Sequence, residues 1–167
     1  MRPRRLAVAL LPAFACACSG GNGSGSATVT FNPVLYVGTW SGTWSNTALT
    51  TNGTADVTVT QIGTSYTIDL DLGGDVFGTT DPEPETFTAN IGPTRATLVA
   101  TTSDLLGDLT GSISPAATVR VHGAHIHGAA ATFDLIGGVT PTQFALNVTI
   151  TNDDDTIETC NAVLFKM

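Results

Sequence analysis

Positive charge is scarce in this 167-residue chain: Lys and Arg together number six, against fourteen Asp and Glu. A balance this acidic repels phosphate backbones and argues against nucleic acid as a partner. Cysteine is nearly missing too, with only Cys16, Cys18 and Cys160, so no disulfide framework is expected. No apolar run is long enough for a transmembrane helix. Past the first residues there is no helical periodicity of useful length. The familiar catalytic signatures are also absent: no Gly-x-Ser-x-Gly elbow, no His-Glu-x-x-His, no phosphate-cradling glycine loop. Spacing alone nominates no carboxylate pair for glycoside cleavage. The chain is therefore read as a non-enzyme.

What is present begins at the N-terminus. Arg2, Arg4 and Arg5 precede the apolar run Leu6 to Ala17, which ends in Ala15-Cys16-Ala17-Cys18-Ser19-Gly20-Gly21. A basic start, a short apolar centre and small residues at the end form the layout of an export signal. It resembles the signal of a bacterial lipoprotein, whose processed N-terminal cysteine carries the lipid. Cys18, with Ala15 and Ala17 before it, is the expected lipidation site, and Cys16 is the alternative. The small residues Ser19 to Ser26 suit a flexible tether. The expected organisation is a signal over 1–17, a tether over 18–33 and a single domain over 34–167. In lipoproteins of this kind the non-acidic Ser19 implies sorting to the outer membrane, so a lipid-anchored protein of the cell envelope is expected. The alternative is an ordinary signal cut after Ala15 or Ala17, leaving a secreted or periplasmic protein.

Loss of the signal removes three arginines. Arg95, Arg120 and Lys166 then stand against fourteen acids, and the net charge moves from −8 to −11. Such a surface disfavours docking on anionic lipid, so acyl chains would supply the anchor. Cys160, left alone, is expected to be buried and inert.

From Leu35 onward the pattern has period two. Tyr36, Gly38, Trp40, Gly42 and Trp44 share one face of a first strand; Tyr66, Ile68, Leu70 and Leu72 alternate with Thr67, Asp69 and Asp71. Similar runs recur at Phe87–Ile91, Val119–Val121, Phe133–Leu135, Phe144–Ile150 and Thr156–Lys166, separated by Gly, Asn and Asp turns. The expected fold is all-β: an antiparallel up-and-down barrel of 8–10 strands, with a β-sandwich as the alternative. Closure removes exposed edges, which matters where a single lysine is available to guard them. One segment, Gly73 to Glu85, is too long and proline-rich for a tight hairpin; its acids suggest a solvated loop, with calcium as the lesser reading.

The repeated Gly38-Thr39-Trp40 and Gly42-Thr43-Trp44 resembles the Gly-x-Trp of the first strand in calycin barrels, the lipocalin and avidin relatives. That resemblance implies a tryptophan packed across the closed end and a small apolar ligand at the open end. Trp40 and Trp44 are accordingly candidates for core or ligand contact. The same opening, with Asp71-Leu72-Gly73-Gly74-Asp75-Val76-Phe77-Gly78, is similar to uncharacterised bacterial lipoproteins; it implies no assigned activity.

His122, His125 and His127 are the only histidines. Val119 and Val121 should face the core and His122 outward. A one-residue bulge at Gly123 would hide Ile126 and place all three imidazoles on one outer face, where they could hold Zn²⁺ or Cu²⁺. The leading expectation is a lipid-anchored, non-enzymatic module that binds a small apolar ligand or presents an interaction surface. The alternatives are a metal-binding envelope protein using the three histidines, and a structural lipoprotein with a filled barrel.

Overall fold

The computed structural model describes residues 30–128 and 130–167. The expected signal and the lipidation site at Cys18 or Cys16 lie outside them. A 3₁₀ turn, Pro33–Leu35, leads into thirteen strands. They are β1 (Gly38–Asn46), β2 (Thr51–Ile62), β3 (Ser65–Leu72), β4 (Asp75–Val76), β5 (Thr79–Thr80), β6 (Glu85–Ile91) and β7 (Ala96–Leu98). There follow β8 (Thr101–Ser103), β9 (Gly107–Ile113), β10 (Thr118–Ala124), β11 (Ala130–Val139), β12 (Gln143–Asn152) and β13 (Ile157–Lys166).

All the pairings are antiparallel, and most link strands that are consecutive or nearly so in the chain. Two of them complete the ring: β13 pairs with β1, and β9 with β10. Strands β7 and β8, interrupted at Val99-Ala100, both pair with β9 and occupy one place. The result is a closed barrel of ten strands, which sets the sandwich aside. The short hairpin β4–β5 stands apart from the ring.

Cross-strand partners point to the same side of a sheet, so the register assigns the two faces. Trp40 pairs with Val57 and Lys166, Val57 with Leu70, and Leu135 with Val121 and Val148. Those residues face inward. Thr39, Thr58, Asp69 and Thr86 are linked in the same way and face outward. An apolar interior and a hydroxyl-rich exterior are the reverse of a transmembrane barrel, whose apolar band faces lipid. Among the described residues no helix is long and apolar enough to cross a membrane.

The buried residues fall into two groups, one at each end of the barrel. The first joins Trp40, Val59, Tyr66, Val139 and Leu164 to Phe31 and Tyr36, which fold over that end. Phe31 stacks on Tyr36 with ring centroids 5.5 Å apart, and Tyr36 meets Tyr66 edge-on at 6.4 Å. The folded domain thus includes Phe31, inside the segment expected as tether. Apolar area gained by covering the barrel end outweighs the freedom of a short chain there. The second group joins Leu109, Phe133 and Ile150 to Leu105, Leu106, Ile126 and Val76 from the loops of the opposite end.

Gly42 marks a close approach of backbone to backbone. A Cβ there would run into the Val163 carbonyl oxygen and lie 2.8 Å from Leu164 Cα, both main-chain atoms that cannot swing aside. Gly42→Ala is expected to cost about 1–3 kcal/mol by overpacking, seen as a lower urea midpoint. An unchanged midpoint would show that β1 and β13 separate freely at this position.

Candidate functional site

The two tryptophans occupy different places. Trp40 is fully buried, and its indole N–H donates to the Tyr36 carbonyl at 3.0 Å. Phe144 meets it edge-on at 4.3 Å, and Lys166 Nζ lies 4.9 Å over its ring. Lys166 also donates to the Leu35 carbonyl at 3.4 Å, so a charge at the barrel end is held by an aromatic face and a carbonyl. Trp40 is a core residue that fixes the N-terminal cover to the wall. Trp44 is half-buried, bridges both core groups and donates to the Gly73 carbonyl at 3.0 Å. The Cβ that Gly53 lacks would meet the Trp44 indole nitrogen at 2.6 Å, so the glycine makes its room.

Between the end groups the inward side chains are less sealed. Val57, Ile68, Leu70, Leu98, Val121, Leu135 and Val148 are half-buried. Polar inward residues lie toward the ends. Glu158 accepts from Asn46 Nδ2 at 2.7 Å and Asn152 Nδ2 at 2.9 Å, and Glu85 accepts from the Ser103 hydroxyl at 2.7 Å. Among the described residues no buried side-chain nitrogen or oxygen lacks a partner. The middle layer therefore offers apolar surface and no polar group awaiting a ligand.

The segment Gly73 to Glu85 is more ordered than a solvated loop. Asp81 Oδ1 accepts from the Gly74 N–H at 2.7 Å, bracing the β4–β5 hairpin. At its tip Phe77 has φ +51, costly for a bulky side chain, and stacks on Phe133 at 6.5 Å. The hairpin so lays Val76 and Phe77 over the second end of the barrel.

The histidine segment differs from expectation. Strand β10 runs in regular register through Gly123 opposite Phe133, with no bulge at Gly123. Ile126 reaches the core another way, because His125 takes a left-handed conformation with φ +57. His122 then pairs with Asp134 and His125 with Asp108, each through Nδ1 at 2.9 Å, while His127 stays exposed. The described residues contain no group of three His, Cys, Asp or Glu placed to hold a metal ion. The three imidazoles do not converge, because the turn that buries Ile126 sends them to separate carboxylates. That statement covers calcium ligands near Asp75 and Asp81 as well.

Cys160 is buried among the second core group. Burial first, and the neighbouring Glu158 second, push its thiol pKa up. Sequence reasoning passed over one other surface feature: Arg95 and Arg120, far apart in the chain, line a common outer groove with His122.

The fold defines the class as a closed antiparallel β-barrel of ten strands. No family model and no curated protein matches the chain. Two solved structures share its fold. The crystal structure of Rv2717c from M. tuberculosis superposes with a TM-score of 0.59 at 12% identity, covering 82% of this chain and 99% of that one. The S-type phycobiliprotein lyase CPES from Guillardia theta gives 0.51 at 11% identity, covering 80% and 88%.

Two outcomes follow from the local chemistry. The Thr102 hydroxyl, and then the His125 imidazole, hold the Asp108 carboxyl below the usual carboxylate range. A depressed folded-state pKa adds stability above the unfolded value, and that stability is lost as pH falls through the folded one. Asp108→Asn is expected to lower the urea midpoint at neutral pH, with the deficit shrinking below about pH 4. A deficit that persists at acid pH would assign the effect to hydrogen-bond geometry alone. Cys160 should resist maleimide at neutral pH in the folded protein and label fully in denaturant, read by mass. Labelling without denaturant would mean that the second end of the barrel opens readily.

Proposed function

We propose that this protein is a non-enzymatic carrier that holds a small apolar molecule inside its barrel, at the cell envelope. The supporting observation is the contrast between sealed ends and a half-buried, apolar middle layer. Eight strands already enclose a width that side chains, or one small ligand, fill; ten enclose more. Here Trp40 and Tyr66 belong to one end group and Phe133 to the other, while Trp44 bridges the two. The middle layer of Val57, Ile68, Leu70, Val121, Leu135 and Val148 is aliphatic and only half-buried, and there the ligand would sit. With no unpartnered donor or acceptor there, binding rests on burial of ligand surface, and the ligand is mostly hydrocarbon.

The fold shared with a phycobiliprotein lyase is consistent with this reading and is not its basis. Exported through its signal and lipidated at Cys18, the domain would stand off the membrane on the Gly/Ser-rich segment. A folded domain of net charge −11 is repelled by anionic lipid, so the anchor would hold it without pulling the barrel onto the surface.

Native mass spectrometry of the protein purified as exported tests both parts. The expected spectrum carries acyl mass on the N-terminal peptide containing Cys18, and a separate non-covalent adduct after exposure to a lipid extract. Leu135→Trp, which fills the middle layer, should remove the non-covalent adduct while leaving the acyl mass and the circular dichroism unchanged. A bare barrel under all conditions would overturn the carrier reading and favour a filled, structural barrel. Acyl mass absent from Cys18 and Cys16 would overturn the anchor.

A further inference from the structure

The folded domain has only three cations, and two of them sit together. Arg95 precedes β7, two residues before the outward Thr97. Thr97 pairs with Ser112 across to β9, and Ser112 pairs in turn with Arg120 on β10. The register thus carries the two arginines to opposite sides of β9 on the outer wall. There they line one groove with Thr97, Thr110, Ser112 and His122.

Neither guanidinium has a carboxylate or hydrogen-bond partner among the described residues, although fourteen acids are present. The one acid lining the groove, Asp134, accepts from His122 at 2.9 Å. Two like charges thus line one groove without a carboxylate paired to either. An anion seated between them would be attracted to both. Guanidinium forks match the oxygens of a phosphate in pairs, and the three hydroxyls supply further donors along the groove floor.

We infer that this groove binds a phosphate group, held between Arg95 and Arg120 with Thr97, Thr110 and Ser112 as neutral donors. The acidic body of the protein repels long polyanions, so the occupant is a single phosphate, either free or on a lipid headgroup. The two arginines and the hydroxyls stand on the outer face of the wall, and the same groove also borders Leu98, Val121 and Leu135 of the middle layer.

The test is an arginine Nε–Hε NMR titration of the protein purified as exported, using inorganic phosphate at constant ionic strength against chloride. Saturable shifts of both Arg95 and Arg120 are expected. Affinity should fall at least tenfold in Arg95→Gln and in Arg120→Gln, each with an unchanged dichroism spectrum. Equal response to chloride, or full affinity after removal of either arginine, would overturn the site. A second arm compares co-sedimentation with phosphatidylglycerol and phosphatidylcholine vesicles. Pelleting in excess with the former, the excess being lost in both variants, assigns the phosphate to a headgroup. Phosphate binding without such pelleting assigns it to a free ligand.

Discussion

The burial of one indole ties the ends of the chain together. Trp40 sits on β1 between β2 and β13, so the strand that begins the barrel and the strand that completes it both contribute to its surroundings. Phe144 from β12 packs on its edge, Lys166 from β13 lies over its face, and its N–H reaches back to Tyr36. A ring of this size contributes several kcal/mol when buried, about 3–5 by the usual cost of truncating it. Closure between residues so distant in sequence has a large entropic cost, and this cluster is where the returns on it are concentrated.

The rest of the architecture follows from that closure. With both edges consumed, the barrel needs few charged residues to prevent edge-to-edge association, and its exterior is given over to threonine, serine and asparagine. The interior is built as two dry ends with a looser belt between. Each end is covered by chain from outside the ring: Phe31 and Tyr36 at one, Leu105, Leu106, Val76 and Ile126 at the other. Between these covers the inward side chains are mostly aliphatic and half-buried, with Trp44 bridging the two groups, and the carrier reading rests on that belt.

Much of the wall was legible from alternation. Tyr66, Ile68, Leu70 and Leu72 face inward as the period-two pattern requires, and Val119, Val121 and His122 take their expected sides. The covers were less legible. Phe31 follows a Gly/Ser-rich run and carries no periodicity, so nothing local distinguishes it from tether. The histidine turn escaped for a related reason. A bulge at Gly123 and a left-handed residue at His125 bury Ile126 equally well, and local sequence does not choose between them. The register of β10 between β9 and β11 does, and it leaves His125 beside Asp108 and His122 beside Asp134.

By itself the sequence determined that this is an acidic, all-β chain, and which side chains of each strand face inward. Those properties depend on composition and on the two-residue repeat of a strand, both local. Tertiary structure alone decided that β13 meets β1, that ten strands close the ring, and that Phe31 and Tyr36 cover one of its ends. It also decided that Arg95 and Arg120 share a groove while three neighbouring histidines do not converge. Each of these depends on register between distant segments, where packing and closure entropy, not local preference, select the outcome.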